Sequence, residues 1–181
     1  MMKIMKKIRI HNKDFEVYIS AGQIQDRLNK LALQLQQDLQ NKEVIFLGIL
    51  NGAFIFAADL IRKIDMDCQV SFVKVASYHG EQSTGHVEEL IGIGEDFTGK
   101  CVVIVEDIVD SGLSMDRVVE MVREKNPVEI RIVSMLFKEE SFRGTNKPGY
   151  IGFVIPNRFV IGYGLDFNGF GRNYDSVYIM T

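Results

Sequence analysis

The sequence predicts an α/β fold, a mostly parallel sheet with helices on both faces, and three observations lead to it. Apolar runs such as 43–50 (EVIFLGIL) and 102–105 (VVIV) lack alternation, so they read as strands buried on both faces. Helical patterns lie between these runs, and alternation of that kind builds parallel crossovers. Finally, the runs end on polar or Gly-containing residues: Leu50-Asn51-Gly52, Ser77-Tyr78, Glu106-Asp107 and Lys138. In a parallel sheet those ends share one edge, where ligands bind.

Taken in order, residues 6–19 alternate apolar and polar about His11-Asn12-Lys13-Asp14 and predict a hairpin. Leu28, Leu31, Leu35 and Leu39 form the stripe of an amphipathic helix over 24–41. After the strand at 43–50, Asn51-Gly52 turns the chain into a helical pattern over 54–64. A strand over 70–77 leads to a polar, Gly-containing loop over 78–89. The strand at 102–105 precedes a helix running to 125, with Met115, Val118, Val119 and Val122 on one face. Residues 129–137 make another strand, and shorter β segments are expected near 150–155, 159–162 and 177–180.

Residues 102–114, VVIVEDIVDSGLS, carry the most chemistry. An apolar strand meets two adjacent carboxylates, then a small-residue loop that opens a helix. Free backbone N–H groups at a helix N-terminus bind anions, and small residues let a phosphate approach them. Paired carboxylates beside such a nest would repel a phosphate unless they serve hydroxyl groups or a divalent cation. A sugar bearing both a phosphate and free hydroxyls satisfies every group at once. The blander reading makes Glu106 and Asp107 ordinary acids ahead of a helix and Ser111 or Ser114 its cap. The acid pair directly on an apolar strand, with a third acid and Ser-Gly following, favours the site.

This stretch resembles the phosphoribosyl pyrophosphate signature of the type I phosphoribosyltransferases. GILNGAF, SYHGEQSTG, VEDIVDSG, LFK and IPNRFVIGYGLDF with a following Arg172 are together similar to the hypoxanthine and hypoxanthine-guanine branch of purine salvage. The resemblance implies one domain over 1–181, with a core at about 24–140 and a small hood from about 1–20 and 141–181. It further implies transfer of the phosphoribosyl group to hypoxanthine and guanine, giving IMP or GMP and pyrophosphate, with Mg²⁺ as cofactor. Asp110 would be the catalytic base or acid beside N7 of the purine. Glu106 and Asp107 would hold the ribose hydroxyls, and with Asp166 they are the metal candidates. Residues Asp110, Ser111, Gly112, Leu113 and Ser114 would bind the 5′-phosphate. Lys138 would donate to O6, Phe159 would stack on the base, and the backbone of Val160 would read its edge. Leu50, Asn51 and Gly52 would form a pyrophosphate loop, often holding a non-proline cis peptide in this family. Arg172 would contact pyrophosphate, and Ser77 and Tyr78 would line the site from the loop over 78–89, a candidate lid. Asn51 stands where some relatives carry Lys or Arg, and Leu113 where others are polar, so both loops would rely on backbone amides.

Composition bounds the alternatives. A net charge of −3 and the lack of a long Lys/Arg run speak against a nucleic-acid-binding regulator that senses the same sugar phosphate. Xanthine, which also presents O6, stays open as a substrate. The N-terminus MMKIMKKIRI reads as neither signal peptide nor membrane span. Cys68 and Cys101 border apolar strands, so core positions in a reducing, cytoplasmic compartment are expected. His79 and His86 read as loop residues rather than a metal site. The resemblance implies a homodimer or homotetramer, with no nucleic-acid or membrane partner.

Overall fold

The computed structural model describes residues 7–77 and 87–181. The elements are β1 (Lys7–Ile10), β2 (Lys13–Ile19), α1 (Ala21–Asp38), β3 (Val44–Leu50), α2 (Phe54–Ile61), β4 (Gln69–Ser77) and β5 (Val87–Ile91). They continue with β6 (Cys101–Val109), α3 (Leu113–Arg123), β7 (Glu129–Phe137), β8 (Tyr150–Val154), β9 (Val160–Ile161) and β10 (Val177–Met180). Six strands form the main sheet in the order β5-β4-β3-β6-β7-β8. Every neighbouring pair is parallel except β4 with β5. A second, antiparallel sheet has the order β1-β2-β10-β9 and joins the first two strands to the last two.

The side-chain period of two sorts the buried strands between two cores. Val44 and Phe46 of β3, with Cys101, Val103 and Val105 of β6, pack under α1 and α2. Their neighbours Ile45, Leu47, Ile49, Val102 and Ile104 pack under Met115, Val118, Val119 and Val122 of α3. Ile24, Leu28, Leu31 and Leu35 of α1 are wholly buried, each contributing roughly 1.5–3 kcal/mol of burial. The Cys101 thiol sits in this apolar setting, and burial above all raises its pKa to about 11.

Four expectations need correction. The helix expected at 24–41 starts earlier, at Ala21, because Ser20 and Gln23 form a capping box. Ser20 N–H donates to Gln23 Oε1 at 3.0 Å, a local pair that the leucine stripe does not reveal. The strand expected at 102–105 continues to Val109, so Glu106 and Asp107 lie within β6. Their ladder partner β7 is equally long and keeps the pairing through Glu106 and on to Val109. The stretch over 78–89, read as a loop, ends in a strand, since β5 pairs back onto β4. Residues 150–155 were expected in the hood, but β8 joins the main sheet beside β7, moving the boundary of the core from about 140 to about 155. Tyr78, His79, His86 and the lid expected there, up to residue 86, lie outside the described residues, as does the Ser77 side chain.

Candidate active site

The turn after β3 meets Gly164, which follows β9 of the small sheet, and Asp107 of β6 lies at that junction. Asp107 is buried, its side chain directed at the turn after β3. A methyl group on Gly52 would overlap the Asp107 carboxylate, and one on Gly164 would overlap the Gly52 carbonyl. Gly52 and Gly164 therefore permit a close approach of three segments from distant parts of the chain. The Leu50–Asn51 peptide in this turn is cis. Glu106 accepts from the Asp107 N–H at 3.1 Å, and Asp107 accepts from the Ile108 N–H at 2.8 Å. Burial above all, then the neighbouring Asp107 charge, raises the Glu106 pKa well above the usual carboxylate range.

After β6 the chain makes the tight turn from Asp110 to Ser114. Gly112 has φ +85°, and the added methyl of any other side chain would press on the Phe142 ring. No side chain caps α3 at Gly112, so the turn presents amide N–H groups of a helix N-terminus. Glu106, Asp110, Ser111, Gly112 and Ser114 line a cavity of about 110 Å³ there. Lys138 follows β7, is buried, and places Nζ 2.6 Å from Asp110 Oδ2. The acid and the lysine expected to read one purine edge thus touch each other.

On the small-sheet side, Arg172 Nη2 lies 2.6 Å from Asp166 Oδ1, while Arg172 Nη1 donates to the Gly164 carbonyl at 2.6 Å. Asp166 Oδ2 accepts from Gly169 N–H at 2.7 Å, so both its oxygens have partners. Phe159 is 42% exposed and lies near Phe15 and Phe167, at centroid distances of 6.4 and 5.7 Å. Val160 is buried beside it and pairs with Ile179. Tyr163 donates to Asp59 Oδ2 at 2.8 Å, joining the small sheet to α2.

Among the described residues, no three of His, Cys, Asp and Glu gather closely enough to hold a metal alone. A cation here would rest on one or two carboxylates and on ligand oxygens, which is how Mg²⁺ usually binds beside phosphates. Hard carboxylate oxygens, and a Glu106–Asp107 pair whose charges repel, fit such an ion. A larger groove of about 660 Å³ opens at the opposite end of the sheet, beside Asp38, Glu129, Arg131 and Tyr150. Its Arg131 is already met by Asp38 and Glu129, at 3.6 and 2.7 Å. The smaller cavity at the strand ends, lined by the acid pair's Glu106 and the Asp110–Ser114 turn, is the candidate site.

The phosphoribosyl transferase domain model matches residues 20–168. The hypoxanthine-guanine phosphoribosyltransferase of Staphylococcus aureus is 35% identical over 165 residues, covering 91% of this chain and 92% of the relative. The chain belongs to the hypoxanthine-guanine phosphoribosyltransferase family. A human member is 35% identical over 177 residues, covering 91% of this chain and 80% of the relative. A crystal structure of the Staphylococcus aureus hypoxanthine phosphoribosyltransferase superposes with TM-score 0.88 at 34% identity, covering 92% of this chain and 91% of that one. A hypoxanthine-guanine phosphoribosyltransferase from Bacillus anthracis, with a HEPES molecule in its active site, gives TM-score 0.87 at 35% identity, covering 91% and 98%. As a member of this family the chain is a pentosyltransferase.

Within this phosphoribosyltransferase, Gly52 of the Leu50–Gly52 turn meets Asp107 and Gly164, and Lys138 meets Asp110. Leu113 is 64% exposed. Sequence reasoning missed the segment 142–146 behind the Asp110–Ser114 turn. Arg143 and Gly144 N–H both donate to the Ser111 carbonyl, at 2.8 and 3.0 Å. Asp116 holds the same segment by accepting from Thr145 and Asn146. Asp116 sits in the first turn of a helix, where an acid ordinarily reads as a dipole partner, and nothing in the sequence links it to a residue thirty positions on.

Proposed function

We propose that this protein serves purine salvage, transferring the 5-phosphoribosyl group from phosphoribosyl pyrophosphate to hypoxanthine and guanine. The products are IMP or GMP and pyrophosphate. The observation that carries the reading is the contact of 2.6 Å between Lys138 Nζ and Asp110 Oδ2. A 6-oxopurine presents O6 and N7 side by side on one edge, so a neighbouring donor and carboxylate match it. Adenine would instead set its amino group against the Lys138 ammonium, leaving donors facing donors in a buried place.

Asp110 accepts or returns the proton at N7 as the base N9 attacks C1′ and the bond to pyrophosphate breaks. Phe159 offers an exposed ring face for the base to stack on, with Val160 backbone at its edge. The ribose hydroxyls go to Glu106 and Asp107, and the raised proton affinity of Glu106 marks a charge wanting partners. The 5′-phosphate goes to the amides and hydroxyls of residues 110–114. Mg²⁺ held by Glu106, Asp107 or Asp166 together with the pyrophosphate oxygens would neutralise charge on the leaving group. Arg172 and the turn at Leu50, Asn51 and Gly52 would face that pyrophosphate, Arg172 leaving Asp166 to do so. Ser77, Tyr78 and the loop following them would close the site against water. A cytoplasmic homodimer or homotetramer, acting on small molecules rather than nucleic acid or membrane, is part of the same reading. Among the described residues, no helix is long and apolar enough to cross a membrane.

The test is conversion of hypoxanthine, guanine, xanthine and adenine by the purified protein with phosphoribosyl pyrophosphate and Mg²⁺, beside an EDTA control. Metal-dependent IMP and GMP formation with adenine inert is expected. Failure to turn over any purine would overturn the proposal, and turnover of adenine would remove Lys138 from base selection.

A further inference from the structure

We propose that Asp116 is a positioning residue for the 5′-phosphate, acting through the segment 142–146 that it ties against the Asp110–Ser114 turn. The inference rests on the phosphoribosyl transfer proposed above and adds a residue to its machinery. Asp116 Oδ2 accepts from the Thr145 N–H at 2.8 Å. Asp116 Oδ1 accepts from the Asn146 N–H at 2.8 Å and from Asn146 Nδ2 at 2.7 Å. The Asn146 amide is oriented by Arg123, which donates to its Oδ1 at 3.2 Å. A partly buried carboxylate is therefore met by three donors from one short segment.

The preceding residues of that segment grip the phosphate turn. Both Arg143 and Gly144 N–H converge on the Ser111 carbonyl, at 2.8 and 3.0 Å. Phe142 packs over Gly112, where a methyl group would lie 2.8 Å from its Cδ2, and meets Phe137 edge-on at 5.4 Å. In a trans peptide the C=O and the following N–H point in opposite directions. A Ser111 carbonyl turned toward Arg143 and Gly144 therefore turns the Gly112 N–H the other way, away from the segment and toward the cavity side. The orientation of that anion-binding amide is set before the ligand arrives, so less ordering remains to be done on binding. Asp116 closes the arrangement because it sits on α3, the helix that the turn opens. The turn, the segment and the helix then move as one piece. Hydrogen bonds to the carboxylate outweigh the opposing effect of its burial and hold the Asp116 pKa below the usual range, so it is ionised at neutral pH.

The prediction separates phosphate binding from base binding. Asp116→Ala should raise KM for phosphoribosyl pyrophosphate about tenfold, with kcat and KM for hypoxanthine within about threefold of the parent. The dissociation constant for ribose 5-phosphate, read by calorimetry without any base, should rise by the same factor. Amide exchange at Arg143 and Gly144 should accelerate, because their acceptor is no longer held. Asn146→Ala keeps both backbone donors and should shift the same quantities about twofold to threefold in the same direction. It carries the test should Asp116→Ala fail to fold. A lower melting temperature with unchanged ribose 5-phosphate affinity would overturn the proposal by making Asp116 merely structural. Equal losses in kcat and in both KM values would overturn it too. If the parent turned over no purine, yet Asp116→Ala weakened ribose 5-phosphate as stated, the transfer reading would fail while the positioning role stood.

Discussion

In the proposed reading, the sugar-phosphate side of the site is one stretch of chain, from Glu106 to Ser114, shaped mainly by backbone. The proposed base side would draw Asp110, Lys138, Phe159 and Val160 from three separate regions and depend on side chains. The first is held from behind by paired amides on the Ser111 carbonyl and by a glycine at φ +85°. The second leaves Phe159 and Asp110 exposed, with Asp110 paired with Lys138. A phosphate common to every turnover would reward a rigid nest, whereas a base would have to enter, be distinguished and leave. The two sides should therefore break differently: backbone changes on one affect fold and binding together, while side-chain changes on the other affect chemistry and choice.

The largest effect is expected at Asp110, where the two sides join. Asp110→Asn keeps the shape but loses proton transfer, so kcat should fall roughly 10²–10⁴-fold with the fold intact. Near-normal turnover in that variant, measured at saturating substrates, would remove Asp110 from its role. Next comes Gly112→Ala, which places an L residue at φ +85° and pushes on Phe142. Strain and displacement should cost about 2–3 kcal/mol of stability and weaken ribose 5-phosphate binding in the same variant. Denaturant unfolding beside calorimetry would show both losses together; loss of stability alone would mean that the turn is not the phosphate nest.

A smaller and more selective change is expected from Lys138→Ala. Removing a charged hydrogen-bond donor should weaken hypoxanthine binding about 10–100-fold and narrow the gap between hypoxanthine and adenine. Phosphoribosyl pyrophosphate affinity should stay near that of the parent. Competition between the two bases at fixed sugar phosphate is the measurement. An unchanged ratio would return Lys138 to the role of a buried counter-ion for Asp110.

The same contrast explains what was legible in the amino-acid sequence. The strands at 43–50 and 129–137 and the stripe of α1 stood out because period and burial agree there. The turn proposed to hold the phosphate was legible as a strand-to-helix turn because its pattern is local: acids, small residues and a helix start stand side by side. Three things were not. The continuation of β6 through Glu106 and Asp107 was hidden because charged residues inside a strand look like its end. The placement of β8 depends on pairing with β7, which no local pattern states. The contacts of Gly52 with Asp107 and of Asp116 with Asn146 join distant residues, and glycine reveals by its missing side chain only that something is near.

The smallest expected effect is on stability, and it tests whether Glu106 is strained for function. A carboxyl whose pKa is raised in the folded state holds its proton more tightly there than in the unfolded chain. Below about 4.5, the ordinary value for Glu, both states are protonated and nothing is lost. As pH rises from there toward the folded value, the unfolded chain gives up its proton first. Stability then falls with pH, and the deficit is complete above the folded pKa. Glu106→Gln cannot ionise, so in EDTA and without ligand it should melt a few degrees above the parent near pH 8, with the gap closing near pH 4. The same variant should bind phosphoribosyl pyrophosphate more weakly in Mg²⁺, because the charge that costs stability is the one offered to hydroxyls and cation. Thermal melts across that range, paired with calorimetry at pH 8, measure the two signs. A variant that is less stable at every pH would place Glu106 among the structural carboxylates. A more stable and weaker-binding variant would show that the acid pair is kept at a cost to the free protein, as a site poised for charge it does not yet hold.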